Sequence, residues 1–486
     1  MPALPAANRH DRLTRLTQAP HDLLVIGGGI VGSGIARDAA MRGLRTTLVE
    51  QHDFAFGTSS RSSRLLHGGL RYLEQGHFRL VREASVEKKV IAQIAPHLAR
   101  PLGFVFPCYR GEGRPLWQLR IGVQLYDLLC GGNNFERSRG FSYAETAALL
   151  PDLKTERLAG SVRYFDALTN DARLVFDTLR SAARHDAVVA NYARFVDAAR
   201  AGDDWECKVV DQFTKEPYMV RARVVVNATG PWAQGLPHSA VKLRLSKGIH
   251  LVIDRARLNV PNAVVITERK RLLFVLPWGE RVILGTTDTD FQGSPESAAV
   301  EPADIHYVLE IVNEFFPRLA LTRADIVSTW AGLRPLIANP DGTPSDISRE
   351  HQIFSPQSGW WDVSGGKLTT YRLMAEQTVD RIVAQLGVPR PPCRTAAEPL
   401  LPANAPRFSD VEPAPFSAEA VRHFVQQEWA ESLADVMIRR SGWHYYFHDA
   451  ATKAEQAAQW MAAEAGWNST QSKAALAEYL ACAGLS

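Results

Sequence analysis

The apolar and polar positions of the chain fall into short apolar runs separated by stretches of helical period, through most of the first 390 residues. At 21–26, "HDLLVI" turns apolar and breaks on three glycines; "IVGSGIARDAAMRG" follows with helical character, and "TTLVE" at 46–50 is a second apolar run closed by an acid. A helix between two such runs predicts a βαβ unit with parallel strands. "RVVVNATGPWA" (223–233) is another buried strand breaking into a small-residue turn, and in "WDVSGGKLTTYRLMAEQ" (361–377) two glycines open a helix. In "SKGIHLVID", Ile249, Leu251 and Ile253 share one strand face while His250 lies on the other with Gly248 and Val252.

Two further segments carry pattern without evident chemistry. "RPLWQLRIGVQLYDLLC" (114–130) is apolar around most of a helix, with Gln118, Arg120, Gln124 and Asp127 forming a narrow polar stripe. The pattern predicts a largely buried helix, with membrane contact as the alternative. Residues 387–417 hold eight of the 28 prolines and predict a stiff extended linker. Three helices are then expected, one from Ser417 to near Gly442, one from Asp449 to Gly466 and one from Thr470 to Gly484.

At 486 residues the chain predicts two or three domains, and 46% hydrophobic with 22% charged residues is the balance of a soluble globular protein. The 55 Lys and Arg against 52 Asp and Glu leave no net field to recruit nucleic acid. Cys108, Cys130, Cys207, Cys393 and Cys482 are odd in number and scattered, with no CxxC pair, so a reduced cytoplasmic protein without zinc or iron-sulfur sites is expected. Residues 1–20 form a polar leader without the apolar core of a signal peptide, and the uncharged run 23–36 is short of the ~20 residues a membrane span needs.

Gly27, Gly29 and Gly32 form a GxGxxG, whose glycines serve the tight turn, the approach of backbone to a diphosphate and helix-on-strand packing. Glu50 can accept from a ribose diol and would repel a 2′-phosphate. A nicotinamide domain would continue with more strand and helix units. Instead the chain enters "QHDFAFGTSSRSSRLLHGGLRYLE", a loop suited to wrapping a large cofactor. The helix opened at 365–366 offers about half a positive charge at its N-terminus, which can stabilise a reduced flavin anion. "DTDFQGSPESAA" imitates a calcium loop from Asp288, but its twelfth position is Ala299 rather than Glu, so no metal is expected.

The stretches "VIGGGIVGSGIARDAAMRG", "TSSRSSRLLHGGLRYLE", "VVVNATGPWA", "LPWGERVILGTTDTD", "AGLRPL" and "VSGGKLTTYR" occur in an order that resembles the FAD-dependent glycerol-3-phosphate dehydrogenases, within the glycine and D-amino-acid oxidase group of flavoproteins. The resemblance covers about residues 20–386. It implies an α/β (α+β) fold, with a Rossmann-like FAD-binding domain (21–100, 155–240, 350–386), an inserted mixed-sheet substrate domain (101–154, 241–349) and a C-terminal helical domain (418–486). It implies non-covalent FAD and oxidation of sn-glycerol 3-phosphate to dihydroxyacetone phosphate, with a quinone as acceptor. Besides Gly27, Gly29, Gly32 and Glu50, the matching cofactor positions are Thr58, Ser59, Ser63, His67, Gly68, Ala228, Gly230, Asp288, Gly366, Lys367, Leu368 and Thr369.

A substrate phosphate without a phosphate loop needs cations, and arginine offers a planar fork that matches its oxygens. Arg71, Arg334 and Arg349 stand at the family's substrate positions, with Tyr72 beside the first. For proton removal the chain offers His67, His250 and Lys367, and between His250 and Lys367 the sequence does not choose; Arg71 completes the expected catalytic set. The C-terminal helical domain is shorter than the family's, and it lacks the cysteine cluster of the anaerobic form, which argues against electron exit through an iron-sulfur protein. Contact with the inner membrane face and a homodimer stay open. The rival readings are an oxidase of an amino acid or of glycerol 3-phosphate that uses oxygen, and a non-catalytic flavoprotein at a membrane surface.

Overall fold

The computed structural model describes residues 9–74, 76–131, 134–268, 271–338 and 351–484, with Arg71, Glu74, Glu268 and Arg271 described by their backbone alone. The opening pattern folds as a βαβ unit: strand His21–Ile26, helix Ile30–Met41 and strand Thr46–Val49. The strands pair in parallel, Leu23 opposite Thr46 and Ile26 opposite Val49. Leu23 and Val25 pack on the helical layer, while Leu24 and Ile26 join a cluster with Trp205 and Trp360 on the other face. Burial on both faces is why this strand shows no polar alternation.

Two mixed sheets organise the described residues. In the first, the order runs His351–Gln357, Trp360–Gly365, Pro217–Asn227, His21–Ile26, Thr46–Val49, Val188–Ala190, and the hairpin Ala193–Ala201 with Asp204–Asp211 extends it. Its central strands are parallel. In the second, Leu243–Asp254 lies between Arg281–Gly285 and Ile326–Ile337, antiparallel to both. Ile249, Leu251 and Ile253 face a core closed by helix Pro302–Phe315, and Val252 faces the opposite core with Phe104, Trp278 and Trp330. The predicted period-two split of this strand is therefore present.

Helix Leu116–Leu129 departs from the expected burial: only Val123 and Tyr126 are buried, while Trp117, Ile121 and Leu128 are 61%, 55% and 68% exposed. The helix rests on the second sheet along one stripe, with Leu116, Leu119 and Leu129 half-buried beside it and Trp117, Ile121 and Leu128 on the open side. The segment 388–417 contains no helix or strand and is fastened to helices Ile30–Met41 and Phe78–Ile94: Leu400 N donates to Ile94 O at 2.9 Å, and Arg37 donates to the carbonyls of Thr395 (3.1 Å) and Glu398 (2.6 Å).

The C-terminal helices differ in register from expectation. The helix capped by Ser417 stops at Gln427; a π-helical turn, Asp435–Arg440, precedes a left-handed Gly442 and the short helix Trp443–Tyr446. The expected Ser417–Gly442 helix is broken just after Gln427, where Trp429 takes a left-handed φ of 56°, and beyond the break Arg439 and Arg440 turn inward onto Asp53. Arg439 Nε donates to Asp53 at 2.5 Å and Arg440 Nη2 at 2.8 Å, with all three side chains buried. Helix Ala450–Ala465 ends at Gly466 as predicted, and the last helix, Ser469–Ala483, is capped by Asn468 rather than Thr470.

Candidate active site

A cavity of about 1860 Å³ opens where the carboxyl ends of the parallel strands face the second sheet. Open α/β sheets bind ligands at this position, because strand ends and helix N-termini leave backbone donors there. Its nucleotide end is made by Gly27, Gly29 and Glu50 from the βαβ unit and by Ala228 and Gly230 from the second strand-to-turn break. Glu50 is held by local bonds: Gly28 N donates to Oε2 at 2.8 Å and His52 N to Oε1 at 2.9 Å. Burial pushes this carboxyl above its usual range, and those amides pull it back.

These residues fit FAD. Gly32 cannot be larger: a Cβ there would lie 2.0 Å from Gly27 O, so the helix and the glycine turn stay in contact only without one. Ile30 N donates to Ser59 Oγ at 3.0 Å, which brings the Ser-rich loop over the helix N-terminus. Ser364 Oγ, on the cavity wall beside Gly365 and Gly366, is buried with no hydrogen-bond partner among the described residues. A ligand with polar edges would satisfy it.

At the other end, His250 is 2% exposed and on the cavity wall. Its Nε2 bonds Ser63 Oγ at 2.8 Å and its ring stacks on Trp330 at 5.0 Å between centroids. Burial, then Arg334 and Arg64, push the imidazole down to about 3, so it is neutral across the working range of pH. Arg334 donates to Thr286 Oγ1 at 3.0 Å, Thr287 O at 3.3 Å and Asp288 Oδ1 at 3.2 Å. Its Nη2 lies over Gly248, two residues before His250 on the same strand face. Lys367 Nζ stands 3.8 Å from the centroid of the Tyr72 ring. Its helix begins later than the sequence suggests: Lys367 precedes a 3₁₀ turn, Leu368–Thr370, and the α-helix starts at Tyr371.

The remaining expected positions divide. His67, Gly366 and Leu368 line the cavity, and Thr369 Oγ1 is tied to the backbone of His67, accepting from its N at 3.1 Å. Thr58 lines it too, although its hydroxyl donates to Leu333 O at 2.6 Å. Gly68 N donates to Tyr126 OH at 2.9 Å, behind the wall. Ser63, expected at the cofactor, lines the cavity and bonds His250, and Asp288, also on the wall, is bonded by Ser246 and Arg334. Arg71 opens helix Arg71–Glu74. Arg349 lies outside the described residues. Ser364, Trp330 and Arg64 escaped sequence reasoning, although the two glycines after Ser364 were a usable signal.

The fold and this cavity define an FAD-dependent oxidoreductase: a family profile described as "FAD dependent oxidoreductase" matches residues 22–381, and one described as "C-terminal domain of alpha-glycerophosphate oxidase" matches 401–472. The chain is 42% identical over 410 residues to glycerol-3-phosphate dehydrogenase 2 of Mycobacterium tuberculosis (83% of this chain, 70% of the relative). It is 38% identical over 406 residues to aerobic glycerol-3-phosphate dehydrogenase of Staphylococcus aureus (81% and 73%). The solved glycerol-3-phosphate dehydrogenase from Bacillus halodurans, complexed with FAD, superposes with a TM-score of 0.80 at 28% identity, covering 99% of this chain and 98% of that one. The chain belongs to the glycerol-3-phosphate dehydrogenase family of FAD-dependent oxidoreductases.

Proposed function

We propose that the protein oxidises the secondary alcohol of sn-glycerol 3-phosphate to the ketone of dihydroxyacetone phosphate and passes the electrons to a quinone. The observation that carries the substrate reading is the pairing, in one FAD-fitted cavity, of a cation over Gly248 with a neutral imidazole at His250. Two residues along a strand is about 7 Å, a spacing suited to a three-carbon phosphate ester. Bound FAD supplies a two-electron hydride acceptor. Arg334 holds the phosphate by charge-assisted bonds, with Arg71 and Arg349 assigned beside it from the sequence. His250 takes the carbinol proton. Lys367, whose Nζ lies 3.8 Å from the centroid of the Tyr72 ring, is the second candidate for base. Anaerobic addition of glycerol 3-phosphate should bleach the flavin; bleaching by glycine or a D-amino acid alone would favour the amino-acid oxidase reading.

For the acceptor, support comes from apolar side chains on the wall of the same cavity, among them Leu73, Phe106, Trp117, Ile121, Leu272 and Phe274, which suit a hydrophobic quinone. Turnover with oxygen that quinone analogues do not change would instead make the protein an oxidase. Membrane contact is supported by the exposed Trp117, Ile121 and Leu128 on a helix that also carries Arg120. Among the described residues no helix is long and apolar enough to cross a membrane, so such contact would be peripheral. Co-sedimentation with anionic vesicles tests it.

A further inference from the structure

Beneath the substrate end of the cavity lies a buried cation that the reaction, as described above, does not use. Arg64 is 4% exposed and has no carboxylate within ion-pair distance among the described residues. Its guanidinium sits instead on aromatic faces: 4.2 Å from the Trp278 ring, 5.3 Å from Trp330 and 5.9 Å from Tyr445, and its Nε and Nη1 have no hydrogen-bond partner among the described residues. A buried charge is normally paired, because leaving water is costly. Ring faces compensate in part, but they do not cancel the field that the charge projects onto its neighbours.

The nearest functional neighbour is His250, reached through Trp330. On the strands flanking His250, Trp330 stands opposite it on one side and Gly285 on the other. The imidazole stacks on the indole at 20°, and it leans over Gly285, where a Cβ would come 2.6 Å from His250 Cδ2. Ser63 closes the ring edge through Nε2. Ser62, Ser63 and Arg64 are consecutive and fixed at several points: Ser62 N donates to Asp171 Oδ2 at 2.9 Å, Trp330 Nε1 to Ser62 O at 3.3 Å, and Thr169 N to Arg64 O at 2.8 Å.

We propose that Ser63, Trp330 and Arg64 are positioning residues for His250: the hydroxyl and the indole fix the ring, and the buried guanidinium behind the indole opposes a positive charge on it. This rests on the reading of His250 as the base. The charged and titratable groups facing the ring are Arg334 from strand Ile326–Ile337, Asp288 bonded to that arginine, Arg64 with Asp171 beyond it, and Tyr445 from the C-terminal helices. Two of these, Arg334 and Arg64, are cations that disfavour an imidazolium, in the same direction as burial. A phosphate dianion on Arg334 offsets one of them, so the ring becomes able to accept the carbinol proton once substrate is in place. Arg64, out of reach of the cavity, continues to oppose the imidazolium, so His250 loses the proton to solvent after the product leaves.

The test uses the FAD-loaded enzyme and the pH dependence of flavin reduction under anaerobic conditions. For wild type, the acid limb of kred/Kd should lie well below the ordinary histidine range. Arg64→Met should move that limb upward by half a pH unit or more, and Arg64→Lys, which keeps the charge, should leave it in place. Ser63→Ala should slow reduction at saturating substrate at least ten-fold with little change in Kd, and Ser63→Thr should restore it. If Arg64→Met does not fold, the Ser63 pair and Trp330→Phe, expected to slow reduction at unchanged Kd, decide the matter. An unmoved acid limb in a folded Arg64→Met, or a wild-type rate in Ser63→Ala, overturns the proposal. His250→Asn separates the two levels: if it alone abolishes reduction, the base reading stands and the positioning reading fails; if it reduces normally, the base reading itself fails.

Discussion

At the nucleotide end of the cavity, three elements consecutive in sequence carry Gly27, Gly29, Gly32 and Glu50, and the acid is oriented by amides of Gly28 and His52 from the same stretch. At the substrate end, Ser63, His250, Thr286, Arg334 and Lys367 come from five separate segments and meet only because the second sheet sets Leu243–Asp254 beside Ile326–Ile337. The first arrangement is local and tolerates little change at Gly27 and Gly32, where backbone fills the space. The second depends on tertiary register, so single side chains there can be removed while the cofactor stays bound.

The largest effect expected from that contrast is at Gly32. Gly32→Val drives a side chain into Gly27 O and should give a protein that purifies without yellow colour and does not take up FAD in titration. His250→Asn, by contrast, should keep a full complement of FAD and lower the rate of flavin reduction by roughly 10²- to 10⁴-fold, the usual contribution of a general base. Arg334→Met should also keep FAD. Charge-assisted bonds are worth about 1.5–3 kcal/mol each, so affinity for glycerol 3-phosphate should weaken by on the order of ten- to a hundred-fold, read from the concentration dependence of reduction. Loss of FAD in either of these two variants would erase the distinction between the ends.

A smaller effect is expected where the C-terminal helices dock behind the nucleotide end. Burial pushes the Asp53 carboxyl up, but Arg440 and Arg439 more than reverse it; Glu428 is likewise held well below the usual range by Arg173 and His423. Carboxyls depressed in the fold contribute stability above the ordinary carboxylate range, about pH 4, and lose it as pH falls through their folded values. His250 acts in the same sense: its folded value is depressed, so below about pH 6.5 the unfolded chain takes a proton that the fold refuses. The thermal midpoint should therefore fall steadily from pH 7 to pH 4 and more steeply below. A midpoint that does not fall more steeply below about pH 4 would show that the dock contributes nothing, and one flat between pH 7 and pH 4 would contradict the depressed His250. The smallest effect is at the outer helix: Trp117→Ser with Ile121→Ser should reduce vesicle binding while leaving flavin reduction in solution unchanged, and equal vesicle binding by wild type and variant would remove this face from the account.

The same contrast explains what was legible beforehand. Glu50 could be read from its distance to the glycines because local backbone decides its role. Ser63 reads in sequence as a flavin contact, as its neighbours in the Ser-rich loop do, and only the pairing of distant strands gives its hydroxyl to His250, 187 residues away. The sequence could not choose between His250 and Lys367; the structure stacks one on Trp330 and sets the other over Tyr72. Helix Leu116–Leu129 reads as buried because apolar residues surround it, yet composition does not say how many partner layers exist, and only Val123 and Tyr126 are fully buried while Trp117, Ile121 and Leu128 are exposed. Asp53 gave no signal at all, since its partner Arg439 is 386 residues further on.

Whether one cavity joins an FAD cradle to a phosphate-reading alcohol site is decided by anaerobic stopped-flow reduction of the FAD-loaded protein by glycerol 3-phosphate and by glycerol, in wild type and Arg334→Met. The account predicts rapid bleaching of wild type by the phosphate ester, poor reduction by glycerol in both proteins, and for the variant a weaker apparent Kd for the ester with FAD retained. Equal affinity for glycerol 3-phosphate in the two proteins, or reduction by glycerol as effective as by its phosphate, would contradict it.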